Sequence, residues 1–264
     1  MTVTQLYGTN PWILCPRPNP QAHLRLFCFP YAGGGASIYR AWPAQLPAEI
    51  EVCAIQLPGR ENRLRESCFT RIAPLVEALS PALAPYLDRP FAFFGHSLGA
   101  LIGFELARQI RREFQLAPVR LFASARPAPH VVDTAPPAYR LSDAALITQL
   151  RNLNGTPSAI LQHPELMDLL LPILRADFAV NETYVYSPDE PLDTPISALC
   201  GLQDPKATEH DVRQWGVHTR RDFRLRTVVG DHFFVTSAQA FVLEAITEDL
   251  APFLRRRAVH VCSA

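Results

Sequence analysis

The chain has 264 residues, 48% of them hydrophobic, and its 25 lysines and arginines are balanced by 25 aspartates and glutamates. That balance excludes the basic footprint of a nucleic-acid binder and a polybasic membrane surface, and no apolar run reaches the roughly 18 residues of a membrane span. The length suits one α/β domain with an insertion over residues 1–264.

Met1 to Gln21 carries no basic region followed by a continuous apolar stretch, which predicts a cytoplasmic protein without a secretory leader. Cys28, Cys53 and Cys200 lie inside apolar, strand-like runs, while Cys15, Cys68 and Cys262 are scattered without metal-ligand spacing. Reduced thiols and no metal site are the expectation.

Residues 1–22 are polar and proline-rich apart from Trp12-Ile13-Leu14, and predict a leader packed on the domain edge. The first strand is Leu24 to Phe29, which breaks into Pro30-Tyr31-Ala32-Gly33-Gly34-Gly35-Ala36-Ser37; Ser37 suits the N-cap of a helix through Ile38, Tyr39 and Trp42. Val52 to Leu57 predicts a second strand, ending in Pro58-Gly59-Arg60-Glu61-Asn62-Arg63. Thr70 opens a helical stretch to about Leu87 that Pro81 kinks or splits. Phe91 to Phe94 reads as a buried strand, and Leu98, Ile102, Leu106 and Ile110 recur on one helix face; Arg120 to Ala125 is a fourth strand. Strands alternating with helices predict a mostly parallel central sheet with helices on both faces.

From about 126 to 190 the alternation stops, and no strand is convincing until Tyr184-Val185-Tyr186. Ser142 and Asp143 cap a helix carrying Leu146, Ile147, Leu150 and Leu153, ended by Gly155. Pro164 opens another, with Leu166, Leu169, Leu170, Ile173, Leu174 and Phe178 at helical spacing. Each leucine suits plain packing, but a helical insertion between two strands also predicts a lid lining a channel for an apolar acyl chain. Ile196 to Gly201 resumes the sheet, Thr208 to Trp215 is helical, and Leu225 to Gly230 is the last strand. The closing helix begins near Ser237, and Arg255-Arg256-Arg257 complement its C-terminal dipole.

Gly95-His96-Ser97-Leu98-Gly99 falls between a strand and a helix, the context of a nucleophile elbow, whose glycines allow the sharp reversal that exposes the serine. A serine hydroxyl is a poor nucleophile at neutral pH, so the elbow implies a base and a group that orients it. Of eight histidines, His232 follows the last strand at the sheet edge where Ser97 also sits. His96 reads as a residue that shapes the elbow, and His23, His130, His163, His210, His218 and His260 as ordinary surface histidines. Asp204 directly follows a strand and suits the acid best; Asp133, after the fourth strand, is the serious rival, with Asp193 and Asp231 behind it. The triple-glycine loop can turn backbone N–H groups inward, which assigns the oxyanion to the N–H groups of Ala32 and Leu98.

The motifs Phe29-Pro30-Tyr31-Ala32-Gly33-Gly34-Gly35, Leu57-Pro58-Gly59-Arg60-Glu61-Asn62-Arg63, Gly95-His96-Ser97-Leu98-Gly99-Ala100, Gly201-Leu202-Gln203-Asp204-Pro205 and Gly230-Asp231-His232-Phe233-Phe234 together resemble the type II thioesterases. These are the discrete editing hydrolases of nonribosomal peptide and polyketide synthesis. The resemblance runs from about residue 24 to 252 and implies an α/β-hydrolase fold, a Ser97, Asp204, His232 triad, and no cofactor, because the substrate brings its own phosphopantetheine. It favours Asp204 over Asp133. It implies an acyl or peptidyl carrier protein as partner, beside the expectation of a monomer and, from the composition and cysteine spacing above, of no nucleic acid, membrane or metal. Arg60, Arg63 and Arg65 are candidate contacts for the carrier or its phosphate, against the plainer reading of a solvated basic loop. Asp231 departs from the family, which usually has glycine before the histidine. A carboxylesterase or lipase-like hydrolase and a non-catalytic hydrolase-fold binding protein are the other readings.

Overall fold

The computed structural model describes residues 10–153, 155 and 158–254. Seven strands form one sheet: β1 (Ile13–Leu14), β2 (Leu24–Phe29), β3 (Ile50–Ile55), β4 (Phe91–His96), β5 (Leu121–Ser124), β6 (Ile196–Gly201) and β7 (Phe223–Val228), in the spatial order β1-β3-β2-β4-β5-β6-β7. Only β1 is antiparallel to its neighbour.

Both faces of the sheet are covered, which is why its inner strands read as unbroken apolar runs rather than as alternations. Phe27, Phe29, Phe91 and Phe93 point to one face, where they pack with Leu75 and Leu79 of α1 (Ile72–Leu83) and Leu101 of α2 (Leu98–Phe114). Leu24, Leu26, Ala92 and Phe94 point to the other and meet Tyr39 and Trp42. Val242, Ile246 and Leu250 complete that second core; they belong to the last helix, Gln239–Leu254. Between β5 and β6 run α3 (Asp143–Leu153), α4 (Ser158–Leu161) and α5 (Pro164–Glu182), which share a separate small core of Leu146, Leu150, Met167, Leu171 and Leu174.

Several boundaries differ from the sequence reading, each for a tertiary reason. The second predicted strand starts earlier, at Ile50, because Glu51 is buried opposite Arg25 in the register and pairs with it at 2.8 Å. The last strand is Phe223–Val228: its Arg224 and Arg226 look unlike a strand interior, but both reach the buried carboxylate of Asp249. Tyr184-Val185-Tyr186 is not a strand; the segment is irregular, and the Tyr184 hydroxyl donates to Glu105. Ser37 is no cap, since the loop leads into a 3₁₀ turn, Ala36–Tyr39, capped from Gly35, and the Ser37 hydroxyl donates to Glu61 instead. α1 runs through Pro81 and tightens into a 3₁₀ turn at Ala84–Tyr86. The leader contributes a strand: Ile13 and Leu14 pair with Ile55 and Ala54 at the sheet edge. Ser142 caps α3, accepting the N–H of Ala145, and Pro164 opens α5. Arg255-Arg256-Arg257, His260 and Cys262 lie outside the described residues. Among the described residues no helix is long and apolar enough to cross a membrane.

Candidate active site

β4 is buried along its whole length and delivers Ser97 at its C-terminal end. Ser97 has φ 55° and ψ −114°, a region that costs a non-glycine residue roughly 1–3 kcal/mol and persists only where the surroundings impose it. The surroundings are identifiable. The Ser97 N–H donates to the Ser124 carbonyl on β5 at 2.8 Å, and α2 starts at the next residue. A Cβ on Gly95 would collide with the backbone of Gly99, and one on Gly99 with the carbonyl of Phe29. Strand, helix and the end of β2 therefore meet backbone to backbone, and the two glycines of the motif are required by that contact.

His232 follows β7 and presents Nε2 3.0 Å from the Ser97 hydroxyl, with Nδ1 2.7 Å from Asp204 Oδ2. The Asp204 side chain is fully buried, and its Oδ1 accepts the N–H of Lys206 at 2.8 Å. A carboxylate only accepts, so His232 Nδ1 carries the hydrogen and Nε2 is left to take a proton from Ser97. The acid and base loops leave the sheet side by side because β6 and β7 are neighbours, and the N–H of Gln203 donates to the Gly230 carbonyl between them. The rival carboxylates are placed elsewhere. Asp133 is exposed and accepts the N–H of Ala135; Asp193 faces Arg221; Asp231 turns back to the N–H of Phe233.

The end of β2, where the glycine loop begins, lies against the first turn of α2, since a Cβ on Gly99 would meet the carbonyls of Phe29 and Pro30; the expected oxyanion donors are Ala32 of that loop and Leu98 of that turn. Among the described residues no protein group accepts the N–H of either. The loop is held from α5: the Gly33 N–H donates to Asp177 at 2.7 Å, and Arg60 binds both oxygens of Asp177 while donating to the Gly34 carbonyl. This corrects the expectation for the basic loop. Arg60 and Arg63 are 4% and 5% exposed, so neither faces a carrier. Arg63 stacks 4.2 Å from the Trp12 ring and pairs with Glu66. Both arginines read as surface residues because their partners, at positions 177 and 12, are distant in sequence. Arg65 alone of the three is exposed.

Sequence reasoning did not find Asp177, and nothing in its own helix singles it out. It also misjudged His218, which is buried, with Nε2 2.7 Å from Nδ1 of His130, and which burial and that neighbour push down to about 4. A cavity of about 10 Å³, room for about one water, lies beside Leu98 and Val180; it is too small for an acyl chain. Among the described residues no cluster of three or more His, Cys, Asp or Glu side chains is arranged to hold a metal.

A mostly parallel sheet, a strained serine between strand and helix, and a histidine and aspartate arriving later from neighbouring strand ends define an α/β-hydrolase. Residues 24–253 match the thioesterase domain model, and the chain belongs to the thioesterase family. It is 44% identical to the gramicidin S biosynthesis protein GrsT of Aneurinibacillus migulanus, over 94% of this chain and 97% of that one. It is 37% identical to the thioesterase PikA5 of Streptomyces venezuelae, over 90% and 85%. The structure superposes on the type II thioesterase BorB from the borrelidin biosynthetic cluster with a TM-score of 0.84 and 39% identity, covering 90% of this chain and 97% of that one.

Proposed function

We propose that the protein hydrolyses acyl or aminoacyl thioesters on the phosphopantetheine arm of carrier proteins, clearing aberrant or stalled groups during nonribosomal peptide or polyketide synthesis. The observation that carries the chemistry is the Ser97, His232, Asp204 chain, 3.0 and 2.7 Å per link, on a strained elbow. Ser97 Oγ attacks the thioester carbonyl as His232 takes its proton, and the N–H groups of Ala32 and Leu98 receive the oxyanion. Collapse breaks the carbon–sulfur bond, the thiolate takes the proton from His232, and an acyl-serine remains. Water, deprotonated by the same histidine, then releases the acid. Every proton is handled by side chains of this chain, so the reading requires no cofactor.

The carrier partner, the cytoplasmic site of action, the monomeric state and a lid role for α3–α5 belong to the same reading. Of these, the carrier partner is supported by kinship with proteins of gramicidin S and borrelidin biosynthesis, and the lid role by the separate small core that α3–α5 share between β5 and β6. The test compares hydrolysis of an acyl-phosphopantetheinyl carrier protein, the matching acyl-coenzyme A and a nitrophenyl ester, each with Ser97→Ala alongside. Preference for the carrier is expected; preference for the oxygen ester, or turnover that survives Ser97→Ala, refutes it.

A further inference from the structure

His96, the residue before the nucleophile, is completely buried, and both of its ring nitrogens are engaged. Nε2 lies 2.7 Å from the backbone carbonyl of His232, and Nδ1 lies 2.9 Å from the hydroxyl of Ser124. A carbonyl cannot donate, so Nε2 carries a hydrogen. In the neutral ring Nδ1 is then an acceptor, and the Ser124 hydroxyl must donate to it. Burial, and after it the adjacent His232, push the ring's pKa down to about 3, so it stays neutral while His232 takes up the serine proton. Its other neighbours add no opposing charge: Tyr31 and Phe234 meet it edge-on, and Phe233 lies tilted 6.4 Å away.

Ser124 thus serves both partners of the proton transfer. Its carbonyl accepts the Ser97 N–H at 2.8 Å, and its hydroxyl fixes the ring that holds His232. We propose that His96 is a positioning residue which, oriented by Ser124, anchors the main chain of His232 and so sets the reach of His232 Nε2 to Ser97. The proposal rests on the assignment of Ser97 and His232 as nucleophile and base. Two constraints of different kind act on the base. Asp204 fixes the rotation of its ring through Nδ1; His96 fixes the peptide that carries the ring. The second is needed because His232 stands in a turn after β7, outside any helix or strand.

The test uses the full chain and a fluorophosphonate probe that labels an activated serine. His96→Gln keeps an N–H donor where Nε2 sits, whereas His96→Phe keeps a ring without one. Labelling should fall by about 10²-fold in His96→Phe, the scale of an ångström-sized misplacement, and only a few-fold in His96→Gln, with Ser124→Ala between them. KM for a small thioester should hardly move while kcat follows the labelling rate. Nitrogen-15 NMR of the histidines should show that the signal lost in His96→Gln is a neutral ring protonated at Nε2 that does not titrate between about pH 5 and pH 9. Labelling of His96→Phe at the wild-type rate, His96→Gln as slow as His96→Phe, or a ring protonated at Nδ1 overturns the proposal. Should His96→Phe not fold, Ser124→Ala and the NMR signal decide it: Ser124→Ala labelling at the wild-type rate overturns it. Wild-type labelling of Ser97→Ala would instead overturn the nucleophile assignment, and the NMR result separates the two failures.

Discussion

Asp177→Ala removes one partner of a buried pair, and the structure sets the size of the effect. Asp177 is 3% exposed and Arg60 4%; the guanidinium donates to both carboxylate oxygens, at 2.6 and 2.8 Å. Truncating the acid leaves Arg60 charged, desolvated and unmatched, and deprives the Gly33 N–H of its acceptor. Breaking such a pair from one side costs about 3–5 kcal/mol. At roughly 2.1 cal/mol/K per residue, a 264-residue protein has an unfolding entropy of about 0.55 kcal/mol/K, so Tm should drop by about 5–9 °C. Thermal unfolding followed by circular dichroism reads this directly. Arg60→Met combined with Asp177→Ala should unfold at a higher temperature than Asp177→Ala alone, because the stranded charge is gone. The exposed pair of Glu209 and Arg213 gives the contrast: Glu209→Ala should cost no more than about 0.5 kcal/mol, under about 1 °C. A Tm within about 2 °C of wild type for Asp177→Ala, or a double variant less stable than the single one, refutes the reasoning.

Ser97→Ala should lower turnover about 10⁶-fold and Asp204→Asn about 10⁴-fold, the latter by presenting an amide where His232 needs an acceptor, with both variants folded by circular dichroism. Gly99→Ala should abolish labelling of Ser97 and lower Tm, since its Cβ would meet the Phe29 carbonyl; wild-type labelling would show that the elbow tolerates side chains there. Stability should fall in acid because His96 and His218 are held neutral, at about 3 and about 4 against an ordinary 6.5. Above pH 6.5 neither state takes up these protons and the stability is whole. Below it the unfolded chain binds protons that the fold refuses, so each group removes about 1.4 kcal/mol per pH unit down to its folded value. Tm measured between about pH 7.5 and pH 4.5 should show this slope, and His218→Phe should reduce it by about half; an unchanged slope would contradict the assignment.

Much of the site was legible because its signals are local. A glycine pair around a serine at a strand-to-helix junction can be read from five residues. Strand ends place Asp204 and His232 at one edge of a parallel sheet, since every such strand points the same way. Misreadings came where the deciding partner is remote. Arg60 and Arg63 look solvated until Asp177 and Trp12 are seen beside them, and Glu51 argues against a strand until Arg25 is found in register.

By itself, then, the amino-acid sequence marked the alternation of elements, the elbow and the candidate nucleophile and base, because periodicity, turn chemistry and strand direction act over a few residues; the preference for Asp204 over Asp133 came from the resemblance of whole motifs. Only the tertiary structure decided how the glycine loop is held from α5, which histidines are buried, and that Ser124 and His96 tie the base to the nucleophile strand. Those contacts join positions 28 to 144 residues apart, and their strength depends on water being excluded from both partners at once, a condition set by the assembled core and by no stretch of the chain alone.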